Sequence, residues 1–209
     1  APIRLAPTVA SGRVYVGSDD GNVYCLSADA GKLLWTFRAS EIDRRVAGNE
    51  RIMSVWPIRG GVLVDGGTAY LSAGLFASEG AYLCAINAAT GKEIWKQRFD
   101  SFCPQGYLLA SKQRLYVPCG GGPPAVFSRK DGRYRYSLDS SGGAFAVLTD
   151  ESVLTGPGKT GTVEAYGSGR RDQLASFAGN TIVATPRMSY LHTDTELSAL
   201  DRKRYLDLC

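Results

Sequence analysis

The segment AINAATGKEIW covers residues 85–95 and is echoed by CLSADAGKLLW at residues 25–35. In both segments a run that ends in small residues leads into a polar turn. A second run follows, and its tryptophan, Trp35 or Trp95, lies four residues after a glycine. A shared offset of this kind, between strand-like runs, indicates a repeated structural unit.

Weaker copies of this unit continue along the chain. In the third copy, Gly132 and Tyr136 keep the four-residue offset, with tyrosine in the place of tryptophan. A single region over 1–209 therefore contains five units of about 42 residues each. We expect the repeats at about 5–39, 54–99, 105–138, 142–177 and 179–209, with an insertion at 38–57.

Composition and period together predict the fold class. Glycine accounts for 25 of 209 residues, and tyrosine outnumbers the other aromatic residues, as in turn-rich β proteins. A period near 40 with three or four short strands per unit is typical of β-propellers. Each small sheet has two apolar faces, and packing sheets face to face around an axis buries both. We therefore predict an all-β propeller of four-stranded blades.

Composition also excludes several functions. One histidine leaves no multi-histidine metal site and disfavours most histidine-dependent hydrolases. A net charge of +4 with scattered basic residues gives no sign of nucleic-acid binding. No apolar run is long enough to span a bilayer. The five cysteines form no adjacent pair and no Cys-x-x-Cys motif.

The units resemble the tryptophan-docking repeat of the pyrroloquinoline-quinone (PQQ) propellers, whose pattern is Ala-x-Asp-x-x-Thr-Gly-x-x-x-Trp. Residues 85–95 match it, except that Asn87 takes the place of the aspartate. In that family the tryptophan of one blade stacks on a turn of its neighbour. The resemblance implies a docking role for Gly31, Trp35, Ala85, Gly91, Trp95, Gly132 and Tyr136.

The resemblance also implies two possible functions, one for each branch of the family. One branch of the family contains quinoprotein dehydrogenases with PQQ and calcium, which need a vicinal disulfide, an aspartate base and a calcium shell. The other, BamB-like branch consists of non-enzymatic scaffolds with eight blades. Because no adjacent cysteines occur here, we expect neither PQQ nor calcium, and more likeness to the scaffolds.

Five units are fewer than eight, so we favour an arc of a larger propeller over a compact five-bladed ring. In the BamB-like branch such a chain would work outside the cytoplasm, in the periplasm or cell envelope. Its partner would be a protein or the remaining propeller blades. The alternatives are a quinoprotein dehydrogenase whose cofactor ligands lie outside this chain, and a carbohydrate-binding propeller.

The insertion is the candidate contact region because it alone breaks the repeat. It gathers charge and an aromatic ring on a long loop, with a helical turn expected at 41–47. Either these residues bind a partner, or they form a structural insert in which the arginines are ion-paired and the tryptophan is packed. If they bind a partner, deleting the insertion should abolish binding and leave the fold intact. The candidate residues are Arg44, Arg45, Arg51 and Trp56.

Other motifs have simpler explanations. The segment 156–161, GPGKTG, lacks the first glycine of a phosphate-binding loop and precedes a strand-like run, so we predict a hairpin turn. His192, two residues before Asp194, is a weak candidate base. Cys103 and Cys119 either form a disulfide or remain small buried side chains.

Overall fold

In the computed structural model, the chain is described over most of its length. The described residues are 1–48, 51–100, 103–120, 122–140, 142, 145–149, 152–156, 161–167, 169 and 171–206. No helix among them is long and apolar enough to cross a membrane.

Sheet 1 consists of β1 (Thr8–Ala10), β2 (Arg13–Gly17), β3 (Asn22–Ser27) and β4 (Leu33–Arg38). A two-stranded hairpin follows, made of β5 (Arg45–Gly48) and β6 (Arg51–Ser54). Sheet 2 consists of β7 (Val62–Asp65), β8 (Thr68–Ala73), β9 (Ala81–Asn87) and β10 (Glu93–Phe99), with a 3₁₀ turn at Ala77–Glu79.

Sheet 3 consists of β11 (Leu109–Ala110), β12 (Arg114–Cys119), β13 (Gly122–Ser128) and β14 (Tyr134–Ser137). Sheet 4 consists of β15 (Phe145–Leu148), β16 (Ser152–Gly156), β17 (Thr162–Gly167) and β18 (Gln173–Ala178). Sheet 5 consists of β19 (Thr181–Ala184), β20 (Met188–His192) and β21 (Leu197–Asp201), and the short helix α1 (Arg202–Leu206) follows it.

Within each sheet the strands run antiparallel and pair in chain order. The first strands of successive sheets are neighbours: β1 contacts β7, β7 contacts β11, and β11 contacts β15. These strands therefore line the inner side. The fourth strands lie outermost and expose apolar side chains such as Leu33 and Ile94. The sheets form an open arc of propeller blades, which confirms the predicted fold class.

The core lies between the sheets, as the packing argument predicts. One apolar cluster joins sheets 1 and 2, a second joins sheets 2 and 3, and a third joins sheets 3 and 4. Most of the largest buried side chains come from the second and third strands, where alternate residues face opposite neighbours, and Val55 and Leu138 add to them from the connecting segments. Each of sheets 1, 2, 3 and 4 thus contributes apolar side chains to a cluster that it shares with a neighbouring sheet.

The insertion differs from the expected helical turn. Residues Arg45–Gly48 form strand β5, which pairs with β6 so that Val46 lies opposite Met53. The expectation of helix at 41–47 is therefore wrong. A hairpin is favoured here because Val46 and Met53 can face the core together while the next pair faces solvent.

Candidate functional site

The contact between sheets 1 and 2 is built on a tryptophan and a glycine. The ring of Trp35 lies over Gly91, where an added Cβ would be 2.7 Å from the ring atom Cδ2. The indole Nε1 donates a hydrogen bond of 3.2 Å to the carbonyl oxygen of Ala88. The Tyr15 hydroxyl donates to the same oxygen at 3.1 Å. Two side chains of sheet 1 thus hold one turn of sheet 2.

Sheets 2 and 3 meet through an equivalent arrangement. A Cβ at Gly132 would lie 2.5 Å from Cζ3 of Trp95, and Nε1 of Trp95 donates to the Arg129 carbonyl oxygen at 3.3 Å. The small Ala85, fully buried, lies opposite Trp95 in the sheet. Tyr136 packs against the cluster between sheets 3 and 4. These contacts hold neighbouring sheets in register.

Gly31 occupies the corresponding turn of sheet 1, with φ at +63°. No atom of the residues that the structure describes lies within 4 Å of a Cβ built on it. Its turn therefore receives no tryptophan from a neighbouring sheet.

The inserted hairpin is anchored by Trp56. This side chain is only 5% exposed, and its Nε1 donates to the Glu79 carbonyl oxygen at 3.1 Å. Its ring packs edge-on against the ring of Tyr82, with 6.0 Å between the two ring centroids. Arg44 lies over the Trp56 ring, with 5.8 Å to the centroid, and forms an ion pair with the Glu79 carboxylate. Trp56 and Arg44 therefore fasten the insertion to sheet 2.

A buried carboxylate fastens the hairpin to sheet 1. Asp19 is 1% exposed and pairs with Arg59 at 3.0 Å and with Arg4 at 2.9 Å. Its carbonyl oxygen accepts a hydrogen bond from the Ser54 amide. Burying a carboxylate is costly unless it is paired, so the two guanidinium groups are needed to keep it in place.

The outer face of the hairpin remains open to solvent. Arg45, Ala47 and Ile52 share this face, and Ile52 is 69% exposed. Arg45 forms two hydrogen bonds with the Asp43 carboxylate, at 2.9 and 3.1 Å, and lowers the pKa of that group. Arg51 is also exposed. Of the four candidate residues, Arg51 is exposed, Arg45 is exposed but paired with Asp43, Arg44 is paired with Glu79, and Trp56 is buried.

The remaining sequence motifs do not assemble a reactive centre among the described residues. His192 is exposed, and the Asp194 carboxylate accepts a hydrogen bond from Asn180 at 2.6 Å. Within the described ranges, no group of three or more His, Cys, Asp or Glu side chains is placed to hold a metal ion. Residues 157–160 of the GPGKTG segment lie outside the described residues, and the flanking strands β16 and β17 pair antiparallel.

The four described cysteines are free thiols. Cys103 and Cys119 accordingly form no disulfide in this structure. Burial raises the pKa of Cys119 to about 11 and also raises the pKa of Cys25 and Cys84. At neutral pH these three groups are protonated and are therefore poor nucleophiles.

A basic cavity on sheet 3 was not found from the sequence. The turns β11–β12 and β13–β14 bring together cations that are scattered along the chain. The sequence feature that could have located this cavity is that both turns of the third repeat carry basic residues. The cations that line the cavity are Lys112, Arg114, Arg129, Lys130 and Arg135.

Comparison with known proteins agrees with the arrangement of the sheets. A family model for the outer membrane protein assembly factor BamB matches residues 1–53 and 45–203. The chain belongs to the BamB family of PQQ-like repeat proteins. BamB of Escherichia coli K12 is 32% identical over 45% of this chain and 21% of its own length. The solved BamB of Moraxella catarrhalis superposes with a TM-score of 0.67 at 15% identity, over 92% of this chain and 56% of that one.

This chain is also similar to two enzymes. A tetrathionate hydrolase of Acidithiobacillus ferrooxidans is 41% identical over 56% of this chain and 25% of its own length. A quinohemoprotein alcohol dehydrogenase of Pseudomonas putida HK5 shares the fold, with a TM-score of 0.62 at 16% identity over 89% of this chain and 36% of that one. The chain therefore spans a quarter or less of the curated relatives it matches.

Proposed function

We propose that this chain is part of a non-catalytic BamB-like propeller that acts as a protein-interaction scaffold in the bacterial cell envelope, outside the cytoplasm. The family match supports the envelope role, because the matched family is named for outer membrane protein assembly. The observation that carries the proposal is the hairpin β5–β6. It is fixed at its base by Trp56 and Asp19 and presents an open face to solvent.

The open face has the composition of a binding surface. Ile52 offers exposed apolar area, and Arg45 lies on the same face with its guanidinium paired to Asp43. Arg51 is also exposed, but as the residue before Ile52 in β6 it points to the opposite face of the hairpin. Arginine and exposed apolar side chains on a rigid support are typical of protein interfaces, since little conformational entropy is lost on binding. The preferred partner is a protein that meets this face with apolar and acidic side chains.

Deleting residues 38–57 is not a clean test of this proposal. The segment contains Val55 and Trp56, which are 0% and 5% exposed within the core between sheets 1 and 2. The deletion would open that core and destabilise the fold. The sequence-based expectation that the fold survives the deletion therefore conflicts with the packing.

A photocrosslinking residue at position 52 tests the proposal in cells that express the native protein. We expect a crosslink to an envelope protein, and we expect Arg45→Glu together with Arg51→Glu to abolish it. The matched control carries the crosslinker at Ile94, which is 55% exposed on the outer strand of sheet 2. Equal crosslinking at both positions, or none at position 52, would contradict the proposal.

A catalytic role is the second candidate, and the tetrathionate hydrolase relative favours it. Loss of tetrathionate on incubation with the purified chain would support this role. Unchanged tetrathionate would favour the scaffold.

We further propose that the chain binds neither PQQ nor calcium, because its sequence has no adjacent cysteines to form the vicinal disulfide of the dehydrogenase branch. Titration with PQQ and calcium should therefore give no red-shifted quinone absorbance. A red shift would indicate a quinoprotein.

A further inference from the structure

The basic cavity on sheet 3 has a composition that neither the fold nor the hairpin explains. It has a volume of about 680 Å³ and lies between the β11–β12 and β13–β14 turns. Of the nine described residues that line it, five are cationic and none is acidic. An adjoining cavity of about 950 Å³ shares Lys112, Arg114 and Arg129 and extends to Arg202.

One of the cations has a structural role. Arg129 pairs with the Asp65 carboxylate at 2.5 Å, and it donates hydrogen bonds to the Tyr70 hydroxyl at 2.8 Å and the Ser111 carbonyl at 3.0 Å. Its charge is neutralised and its guanidinium is occupied. Arg202, in the adjoining cavity, likewise donates to Thr185 and Thr149.

The other four cations, Lys112, Arg114, Lys130 and Arg135, form no ion pair with any described residue. The nearest carboxylate of the turn, Asp131, is engaged by Arg133, whose amide donates to it at 3.2 Å. Like charges gathered on one surface repel each other and destabilise the folded state. A multivalent anion would remove that repulsion.

The repeat does not require these charges. When sheets 2 and 3 are aligned through Tyr70 with Tyr116 and Gly91 with Gly132, the corresponding positions of sheet 2 are neutral. Gly66, Thr68, Ala89 and Ile94 stand where Lys112, Arg114, Lys130 and Arg135 stand in sheet 3. The same turns therefore form without cations, so the charge of sheet 3 points to a ligand.

A polar group completes the cavity. The Tyr136 hydroxyl is buried in its wall. The Arg114 guanidinium faces this hydroxyl, but no well-aligned hydrogen bond to it forms in the described part of the chain. An unpartnered buried hydroxyl costs free energy unless a ligand or water satisfies it. We propose that this cavity binds a polyvalent phosphate-type oxyanion, which the two arginines grip through paired N–H donors and the two lysines attract as point charges.

Calorimetric titration of the purified chain with inorganic pyrophosphate tests the proposal. We expect saturable binding that weakens as salt is raised, because exposed charges are screened. The double variant Lys112→Glu/Arg135→Glu should weaken binding about tenfold or more. Both side chains are exposed, so thermal unfolding should remain close to that of the parent chain.

The matched control is Lys32→Glu/Lys92→Glu, which changes the net charge equally at exposed positions of sheets 1 and 2. It should leave pyrophosphate binding unchanged. Equal loss in both double variants would show attraction to net charge alone and would overturn the proposal, as would the absence of pyrophosphate binding to the parent chain.

Vesicles of phosphatidylcholine with and without phosphatidic acid identify the source of the phosphate. Binding to pyrophosphate alone would support a free phosphate compound as ligand. Additional binding to phosphatidic acid vesicles, lost in Lys112→Glu/Arg135→Glu, would support a lipid head group. Neither result depends on the hairpin β5–β6, so this site can fail while the proposed scaffold function stands.

Discussion

The second strands of sheets 1 and 5 carry the same side chain in different surroundings. Tyr15 of β2 is 2% exposed, because sheet 2 covers it and accepts its hydroxyl hydrogen bond. Tyr190 of β20, the corresponding position of sheet 5, is 40% exposed, and its neighbour Val183 across the strand pair is 63% exposed. The two tyrosines thus differ in coverage by a neighbouring sheet, and this difference separates the contribution of coverage from that of the strand itself.

The largest expected effect comes from removing the covered ring. Tyr15→Ala should lower the free energy of unfolding by on the order of 3–5 kcal/mol, because it leaves a cavity between sheets 1 and 2. Tyr190→Ala should lower it by much less, about 1 kcal/mol, since 40% of that side chain is exposed and no sheet among the described residues covers it. Urea unfolding of both variants measures the difference. Similar losses would show that coverage is not what stabilises the sheets.

The glycine turns allow a second matched comparison. Gly91→Ala should cost about 1–3 kcal/mol from contact with Trp35, in addition to about 1 kcal/mol from its left-handed backbone at φ +71°. Gly31→Ala has the same backbone penalty at φ +63° but meets no neighbour within 4 Å.

The difference between the two glycine variants isolates the contribution of the tryptophan contact. Urea unfolding of each variant measures it. A smaller cost of Gly91→Ala in a Trp35→Leu background than in the parent chain would support this assignment. Equal costs at Gly31 and Gly91 would argue that only backbone strain matters.

These contrasts show which parts of the structure could be predicted from the sequence. The offset between Gly91 and Trp95 predicted the propeller, because local strand and turn signals repeat at a fixed period. Gly91 meets Trp35 and Gly132 meets Trp95, in each case a tryptophan of the preceding repeat, and only the family resemblance suggested such a pairing. Periodicity by itself identifies units but not what covers them.

The candidate sites were harder to predict. The burial of Trp56 depends on Glu79 and Tyr82, which belong to the following sheet and give no local signal. The basic cavity depends on two turns of sheet 3 that are separated in sequence and adjacent in space. Charge that is scattered along the chain can therefore be concentrated on the surface when hairpin turns emerge on the same side of a sheet.

A tyrosine that a neighbouring sheet covers should also make the free energy of unfolding fall at alkaline pH. Burial raises the pKa of Tyr166 to about 12, and its hydroxyl donates to the Asp139 carbonyl at 2.8 Å. Because the folded-state pKa lies above the unfolded value of 10.0, the stabilisation is complete below pH 10 and is lost as pH rises through 12. Tyr166→Phe should lose less stability across this window than the parent chain in urea unfolding. An unchanged pH profile would exclude Tyr166 as a contributor.

The smallest expected effect concerns a single hydroxyl group. Tyr15→Phe keeps the ring and removes only the 3.1 Å hydrogen bond to the Ala88 carbonyl, which also accepts from Trp35. We expect a loss of about 1 kcal/mol, since one donor to this oxygen remains. Tyr190→Phe should have no measurable effect on the free energy of unfolding, because no neighbouring sheet in the described part of the chain covers Tyr190 and offers its hydroxyl a turn to bind. If Tyr15→Phe were also neutral, the ring alone would account for the stability of this contact, and the shared carbonyl would only orient the turn.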